Sequence, residues 1–253
     1  MVRLSLLAAI QFLTRIPIRL RREPNVAASI VWFPVVGALV GAVVGGVAAG
    51  LWFLVPPLVT AALAVVAGVL ITGAFHEDGL ADVADAFAGG TTIERRLEIL
   101  KDSRHGSYGV AALCSSIVVR IVCLASFPGP RAMFLAAVSA HAVARSAAVG
   151  LMGVAPLASH RGLGADYGQS TTGANALSAI VLGLAIAAAA VGWWAAPLVA
   201  VVIITIVAVR WLSLRKIAGI SGDVLGTCEQ VTECLCFVVL AGLAAHHALP
   251  SLL

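Results

Sequence analysis

The chain has 253 residues, of which 61% are hydrophobic and only 11% are charged. Its mean hydropathy is +1.05, whereas a soluble domain is about half apolar and about a quarter charged. A soluble domain of this length could not bury so much apolar surface, which excludes an ordinary water-soluble enzyme, a disordered chain and a fibrous repeat. The composition predicts an all-α, polytopic integral membrane protein built as a helical bundle.

The apolar segments predict about seven transmembrane helices after an N-terminal interfacial helix. Residues 1–20 carry Arg3, Arg15 and Arg19 beside apolar positions and have no small-residue cleavage site, which favours an amphipathic helix over a cleaved signal peptide. Prolines and glycines divide the apolar segments that follow, because both residues interrupt helices. The predicted spans are 30–54, 58–75, 109–128, 132–154, 174–194, 197–213 and 231–249.

The basic residues predict the orientation of the bundle. With the N-terminus in the cytoplasm, twelve of the 16 Lys and Arg residues lie in inner segments and only Arg131 lies in an outer loop. This asymmetry follows the positive-inside rule and predicts a multi-pass protein of the cell (inner) membrane with its active site on the cytoplasmic side. The chain is interpreted as a single transmembrane domain, 1–253, with cytoplasmic acidic loops at 76–108 and 214–233.

The expected partner of the apolar surface is the lipid bilayer. The net charge of +4 arises without a lysine-rich run beside aromatic residues, so we expect no nucleic-acid partner. A small basic excess is typical of membrane proteins that contact anionic lipids. The sequence leaves open whether the chain is a monomer or a homo-oligomer.

The first acidic segment predicts a cation site. On a helix, Asp78, Asp82 and Asp85 have the spacing i, i+4 and i+7 and face the same way, without an interleaved cation. A divalent cation would relieve their repulsion, and Mg²⁺ prefers such oxygen ligands while keeping positions open for phosphate. His76 precedes these acids, where it is a candidate general base or equally a structural hydrogen-bond donor.

Basic and hydroxyl side chains follow the acidic cluster. Lys101, Ser103 and Arg104 lie beside glycines at the end of a short amphipathic pattern, an arrangement that suits phosphate binding or simple capping of a helix C-terminus. Arg145 lies within a predicted span, where an ionised residue usually lines a cavity or pairs with an acid, and it is a second candidate for contact with a bound ligand.

A second acidic segment opens the last span. Glu229 and Glu233 share one helix face, and Asp223 precedes them by two turns. Glu233 lies where the helix becomes apolar, a costly place for a charge. The segment therefore predicts either a second set of metal or substrate ligands, or acids that favour a helix N-terminus.

Several motifs together resemble those of the cobalamin synthase family, also called adenosylcobinamide-GDP ribazoletransferases. FHEDGLADVADAF at 75–87 and LEILKDSRHGSYG at 97–109 carry most of the likeness. FLTRIP at 12–17, FPVVG at 33–37 and GDVLG at 222–226 follow the order found in the family. Val83 and Ala86 stand where the family often has threonine and glycine, and no acidic position is lost.

The resemblance implies a Mg²⁺-dependent phosphotransferase of the last steps of cobalamin biosynthesis. Such an enzyme joins α-ribazole, or its 5′-phosphate, to adenosylcobinamide-GDP and releases GMP and adenosylcobalamin or its 5′-phosphate. It implies that His76 or one of the acids accepts the hydroxyl proton, while Lys101 and Arg104 neutralise phosphate. The implied metal ligands are Asp78, Asp82, Asp85, Asp223, Glu229 and Glu233.

Two other functions remain open at this point. A CDP-alcohol phosphotransferase of phospholipid synthesis would also use a membrane-surface aspartate cluster. Its motif expects Asp-Gly-x-x-Ala-Arg, whereas Asp82 follows Asp78-Gly79-Leu80-Ala81 here. An ion-coupled transporter would need acids near mid-membrane, whereas the acids here gather at one surface.

Overall fold

The computed structural model describes residues 2–20, 25–158 and 163–246, and within these ranges the side chains of 163–166 are not described. The described residues form α-helices joined by short connections and contain no strand, which confirms the all-α fold class. The helices are α1 (Val2–Leu13), α2 (Val26–Ile30), α3 (Phe33–Leu51), α4 (Pro57–Thr72), α5 (Phe75–Gly89), α6 (Ile93–Ile99), α7 (Ser107–Ala125), α8 (Pro130–Val154), α9 (Leu163–Ser170), α10 (Gly173–Val191), α11 (Ala196–Ile217) and α12 (Gly222–His246).

A helix occupies each of the seven predicted spans, namely α3, α4, α7, α8, α10, α11 and α12. By length and composition, five helical segments of the described chain could cross a membrane, or six if α4 and α5 form one bent span. One of these segments, Gly173–Ile217, contains both α10 and α11. The two helices lie side by side, because a Cβ on Gly150 would be 2.8 Å from Ile180 and 2.7 Å from Ile206. The end of the predicted span 231–249 lies outside the described residues.

The spanning helices alternate in direction, so their connections fall at two ends of the bundle. Phe127, Val191, Trp194 and Leu240 line one small pocket, which places the turns after α7 and α10 and the second half of α12 at the same end. The turn between α3 and α4 lies at that end as well, because α3 begins and α4 finishes at the other. The opposite end carries α1, α5, α6 and α9, and we call it the site end.

Helix α1 ends earlier than the interfacial helix predicted for residues 1–20. The hydroxyl of Thr14 donates to the carbonyl oxygen of Ile10 and accepts from the backbone N–H of Ile16, which replaces the next helical turn before Pro17. The buried face of α1 includes Ala8, Ala9 and Leu13. The segment is therefore packed against the bundle along one face.

A sharp bend separates α4 from α5. Gly73 and Ala74 both have positive φ, of 69° and 58°, and the two helix axes differ by 90°. The acidic helix α5 thus leaves the direction of the spans, and we place it outside them because its carboxylates could not face lipid. Together α5 and α6 occupy most of the segment 76–108, whose helical faces the sequence predicted.

The segment 214–233, expected as an acidic loop, is largely helical. Helix α11 continues to Ile217, and α12 begins at Gly222. The side chains of Glu229 and Glu233 are 0% and 1% exposed, so they are core residues of a spanning helix. A hydropathy pattern predicts a loop at such acids, because it contains no information about the buried arginines that pair with them.

Helix α8 is the centre of the bundle, and small residues let its neighbours approach closely. Nearly every side chain from Ala136 to Met152 is buried. Across the α3 crossing, a Cβ on Gly41 would lie 2.7 Å from Cα of Val138 and 2.8 Å from the carbonyl carbon of Ala137. Small residues at such interfaces are typical of helix packing in membranes.

We expect Gly41→Ala to lower the free energy of unfolding by about 1–3 kcal/mol, because the added methyl has no space at the α3–α8 crossing. Gly46→Ala, on the same helix with no atom within 4 Å of the added Cβ, should leave stability unchanged or slightly raised. Thermal unfolding of both variants in detergent measures the difference. Equal losses in both variants would contradict close packing at Gly41.

Candidate cation cluster and adjoining cavity

The crossing of α5 and α12 brings the two acidic segments together at the site end. A Cβ on Gly79 would lie 2.9 Å from the carbonyl oxygen of Asp223, and one on Gly226 would lie 3.2 Å from that of His76. The hydroxyl of Thr227 donates to the carbonyl oxygen of Gly79 at 3.1 Å. Because the two backbones nearly touch here, carboxylates from both helices lie within electrostatic reach of one another.

Asp78, Asp82 and His105 form the cation cluster. The imidazole nitrogens of His105 lie 3.6 Å from an oxygen of Asp78 and 3.5 Å from an oxygen of Asp82. One ligand atom from each of the three residues lies within 4.8 Å of the others. Two carboxylates and an imidazole at this spacing fit a divalent cation, which would find hard oxygen ligands and an open side.

The environment of Asp82 matches such a role. Burial, followed by the negative charges of Asp78 and Asp223, raises the pKa of Asp82 to about 6. The sequence suggested mutual repulsion on one helix face, and the structure adds a third carboxylate from α12. A bound divalent cation would remove this repulsion.

Asp85, the third acid of the predicted stripe, is engaged elsewhere. Its two carboxylate oxygens accept from the backbone N–H groups of Gly106 and Gly109, at 2.6 and 2.9 Å. These groups belong to the first turn of α7, which has no helical partners for its N–H groups. A side chain at either glycine would collide with the Asp85 carboxylate. The glycines that suggested phosphate binding therefore allow Asp85 to cap α7.

The basic residues of the same segment separate. Arg104 is exposed and pairs with Asp102 at 2.6 Å, and its hydrogen bonds lower the pKa of Asp102 to about 2. Ser103 is also exposed. Lys101 is exposed too, but it lines the cavity beside the acids. Lys101 is thus the basic residue of this segment that shares a cavity with Asp78.

Glu229 and Glu233, predicted as metal ligands, belong to a buried ion network. The carboxylate of Glu233 accepts from Arg120 at 3.1 Å and from Arg145 at 2.9 Å, and one oxygen lies 2.7 Å from Nδ1 of His141. Arg145 also pairs with Glu229. One ligand atom each from His141, Glu229 and Glu233 lies within 4.8 Å of the others, so these residues form a second group that could hold a cation, although both acids already pair with arginine.

The network continues toward α5. Arg120 donates to Glu77 at 2.9 Å, which joins α7 to α5. His76 has Nδ1 3.7 Å from Glu229, and this buried nitrogen has no hydrogen-bond partner. Burial and then the positive charge of Arg145 lower the pKa of His76 well below its ordinary value. At neutral pH the imidazole is therefore uncharged.

A cavity of about 380 Å³ lies between the cation cluster and the buried network. Its charged and titratable lining residues are His76, Asp78, Lys101, Arg145 and Asp223. The remaining wall is apolar and comes from α1, α3, α6, α8, α9 and the segment before α12. Predicted site residues from four separate segments thus meet at one concave surface.

Sequence reasoning missed some of these residues. His105 was not selected, although it follows the Lys101–Arg104 segment directly and precedes a glycine. Glu77 was grouped with the surface acids, yet it is buried against Arg120. Tyr167 lines the cavity from a short helix that apolar periodicity does not reveal. Only the folded chain shows that these residues share a site.

The fold and the site define a polytopic α-helical membrane protein with a carboxylate–imidazole cluster beside a mixed cavity. Comparison with known proteins adds the family: the chain belongs to the Cobalamin-5-phosphate synthase family, whose pattern matches residues 5–241. This confirms the resemblance seen in the sequence. No solved structure matches the chain.

Individual relatives agree with this assignment. A Chlorobaculum tepidum protein named adenosylcobinamide-GDP ribazoletransferase is 34% identical over 241 residues, which cover 94% of each chain. A Bradyrhizobium diazoefficiens protein of the same name is 41% identical over 191 residues, 73% of this chain and 71% of the relative. Another from Ralstonia pickettii is 35% identical over 254 residues, 95% of each chain.

Removing the charge of Glu233 tests the buried network. We expect Glu233→Gln to lower the free energy of unfolding by about 3–5 kcal/mol, since two buried arginines lose a carboxylate. Glu98 lies 2.9 Å from Arg95, the same distance as Glu233 from Arg145, but that pair is exposed. Glu98→Gln should therefore cost less than about 1 kcal/mol. Denaturation in detergent measures both, and similar losses would argue against the network.

The cap on α7 gives a further prediction. Asp85→Ala should lower stability by about 1–2 kcal/mol, because two backbone N–H groups lose a charged acceptor. Asp78→Ala, on the same helix, removes a carboxylate that accepts no backbone hydrogen bond within the described part of the chain, and it should change stability by less than about 0.5 kcal/mol. Thermal unfolding compares the two, and a larger loss for Asp78→Ala would contradict the capping role.

Proposed function

We propose that this protein is an adenosylcobinamide-GDP ribazoletransferase, which transfers the adenosylcobinamide phosphoryl group of its donor to α-ribazole or α-ribazole 5′-phosphate. The observation that carries the proposal is the cation cluster at the edge of a ligand-sized cavity, in a chain whose relatives bear this name along most of their length. The products are adenosylcobalamin, or its 5′-phosphate, and GMP.

The reaction exchanges one phosphorus–oxygen bond for another. A hydroxyl oxygen of the ribazole attacks the phosphorus that bears the cobinamide, and the bond from this phosphorus to the bridging oxygen of the pyrophosphate breaks. GMP leaves with that oxygen, and the hydroxyl proton passes to a base. Such transfers depend mainly on positioning and on stabilisation of charge.

The chain offers a residue for each of these tasks. His76 lines the cavity beside Asp78, and it is the residue we propose as the acceptor of the hydroxyl proton. Lys101 at the cavity neutralises phosphate charge, and Arg104 lies farther out in a pair with Asp102. Arg145 reaches the cavity from the buried network and presents a fixed positive charge.

Magnesium is part of the proposal. Asp78 and Asp82 would hold the ion with His105, and the negative charge of Asp223, which acts on Asp82, would add to its attraction for a cation. When bound, Mg²⁺ neutralises the pyrophosphate and stabilises the negative charge on the leaving group. The donor chemistry of the cluster, with two carboxylates and an open side, supports this choice over a closed structural site.

We further propose that the site end faces the cytoplasm of the cell membrane. The positive-inside asymmetry of the sequence supports this orientation. Arg95, Arg96 and Lys101 on and after α6, and Arg215 and Lys216 at the end of α11, all lie at the site end.

The test is release of GMP from adenosylcobinamide-GDP and α-ribazole by purified protein in liposomes, with Mg²⁺ or with EDTA. We expect Mg²⁺-dependent release by the wild type and roughly a hundredfold loss in Asp82→Asn, because charge stabilisation at the phosphoryl group is removed. Glu94→Gln, the same carboxylate-to-amide change at an exposed position on α6, should retain activity. An inactive, folded wild type would overturn the proposal, and a fully active Asp82→Asn would move the metal site elsewhere.

A further inference from the structure

The cavity lining has an aromatic part and a polar part, called here the aromatic end and the polar end. In the aromatic end, the rings of Phe12, Phe33 and Tyr167 pack against one another, with centroids 4.1 Å apart for Phe12 and Tyr167 and 5.7 Å apart for Phe12 and Phe33. Phe75 adds a fourth ring, edge-on to Phe12 at 5.4 Å. Phe12, Phe75 and Tyr167 also line a second cavity, of about 400 Å³, which includes Arg15.

The polar end is where the proposed chemistry takes place. Asp78 and Asp223 line it together with Lys101, so a ligand there touches the edge of the cation cluster. His76 lines this end as well, while its Nδ1 lies on the side of the buried network, 3.7 Å from a carboxylate oxygen of Glu229. The polar end therefore offers two carboxylates, a lysine and a histidine to a polar group of a ligand.

We infer that this cavity is the acceptor subsite, and that it binds α-ribazole with its aromatic base among Phe12, Phe33 and Tyr167 and its ribose toward Asp78 and His76. The inference rests on the proposed function and assigns one of the two substrates to a place. A flat apolar group joined to a hydroxylated group matches the two ends of the cavity. Aromatic rings favour stacked or edge-on contact with such a base.

Size separates the acceptor from the donor. A cavity of about 380 Å³ lies near the small end of the range for ligand sites, roughly 300–1,000 Å³. A nucleoside fits this volume, whereas a corrin macrocycle with its attached nucleotide is several times larger. The donor therefore lies outside the cavity, against the exposed face of the cation cluster.

The donor also carries an aromatic group, its guanine base. The composition of the cavity wall disfavours binding of guanine in this cavity. The edge of guanine carries several hydrogen-bond donors and acceptors, which would lose water without gaining partners at the aromatic end. The base of α-ribazole is a methylated benzimidazole without exocyclic polar groups. The aromatic residues of the cavity wall suit this base, because Tyr167 is the one among Phe12, Phe33, Phe75 and Tyr167 that carries a polar group.

A filling substitution on α6 tests the assignment. Leu97 is half-buried and lines the cavity, whereas Ile93, one turn earlier, is exposed and does not line it. We expect Leu97→Trp to raise the KM for α-ribazole at least about tenfold, because the indole takes up the volume of the base. The KM for adenosylcobinamide-GDP should change less than about twofold, and Ile93→Trp should leave both constants near wild type.

A second variant removes a ring in place of adding one. Phe12→Leu should also raise the KM for α-ribazole selectively, since one aromatic contact is lost, and it guards against misfolding of Leu97→Trp. A selective rise in the KM for adenosylcobinamide-GDP, or unchanged constants for both substrates, would overturn the acceptor assignment. Wild-type protein that releases no GMP would instead overturn the proposed function, so the two failures are distinct.

Discussion

Two buried arginines and three buried glutamates hold the bundle and its site in register. Within lipid, an ionised side chain needs a partner, because no water can solvate it. Glu233 on α12 meets Arg120 of α7 and Arg145 of α8, and Arg120 extends the network to Glu77 of α5. The helices that carry the acids of the cation cluster, α5 and α12, are thus fixed by charges a few turns away. A shift of α5 or α12 along its neighbours would separate these ion pairs, so the network fixes the position of the polar site.

Close backbone contact completes this arrangement. Gly79 and Gly226 allow α5 to lie directly against α12, and the bend at Gly73 and Ala74 turns α5 across the end of the bundle. As a result, carboxylates from segments far apart in the chain face one another beside a cavity. Aromatic rings of α1, α3 and α9 also line that cavity. Each part of the site therefore comes from an element held by different packing contacts.

The sequence predicted a helix at the position of each span, because long apolar runs separated by proline and glycine form helices in a membrane. It also grouped Asp78 with Asp82, since helical spacing fixes a shared face. The six proposed metal ligands nevertheless divide into the cation cluster with Asp223, the cap formed by Asp85, and the network of Glu229 and Glu233. Helical spacing gives the direction of a side chain but not the atom it meets. The partners of Asp85 and Glu233 come from other helices, so only the tertiary structure could distinguish these roles.

The connections at the end of the bundle opposite the site are short and apolar. Trp193, in the turn between α10 and α11, is 93% exposed, and Phe53 is 83% exposed in the turn between α3 and α4. Aromatic residues in such positions favour the membrane–water interface. No described acid lies at that end, and the charged residues that line the cavity belong to the site end. In the proposed reaction, both substrates therefore bind at one end of the bundle. In this proposal the bilayer anchors the enzyme, and the reaction takes place at one membrane surface without transport of a substrate across the membrane.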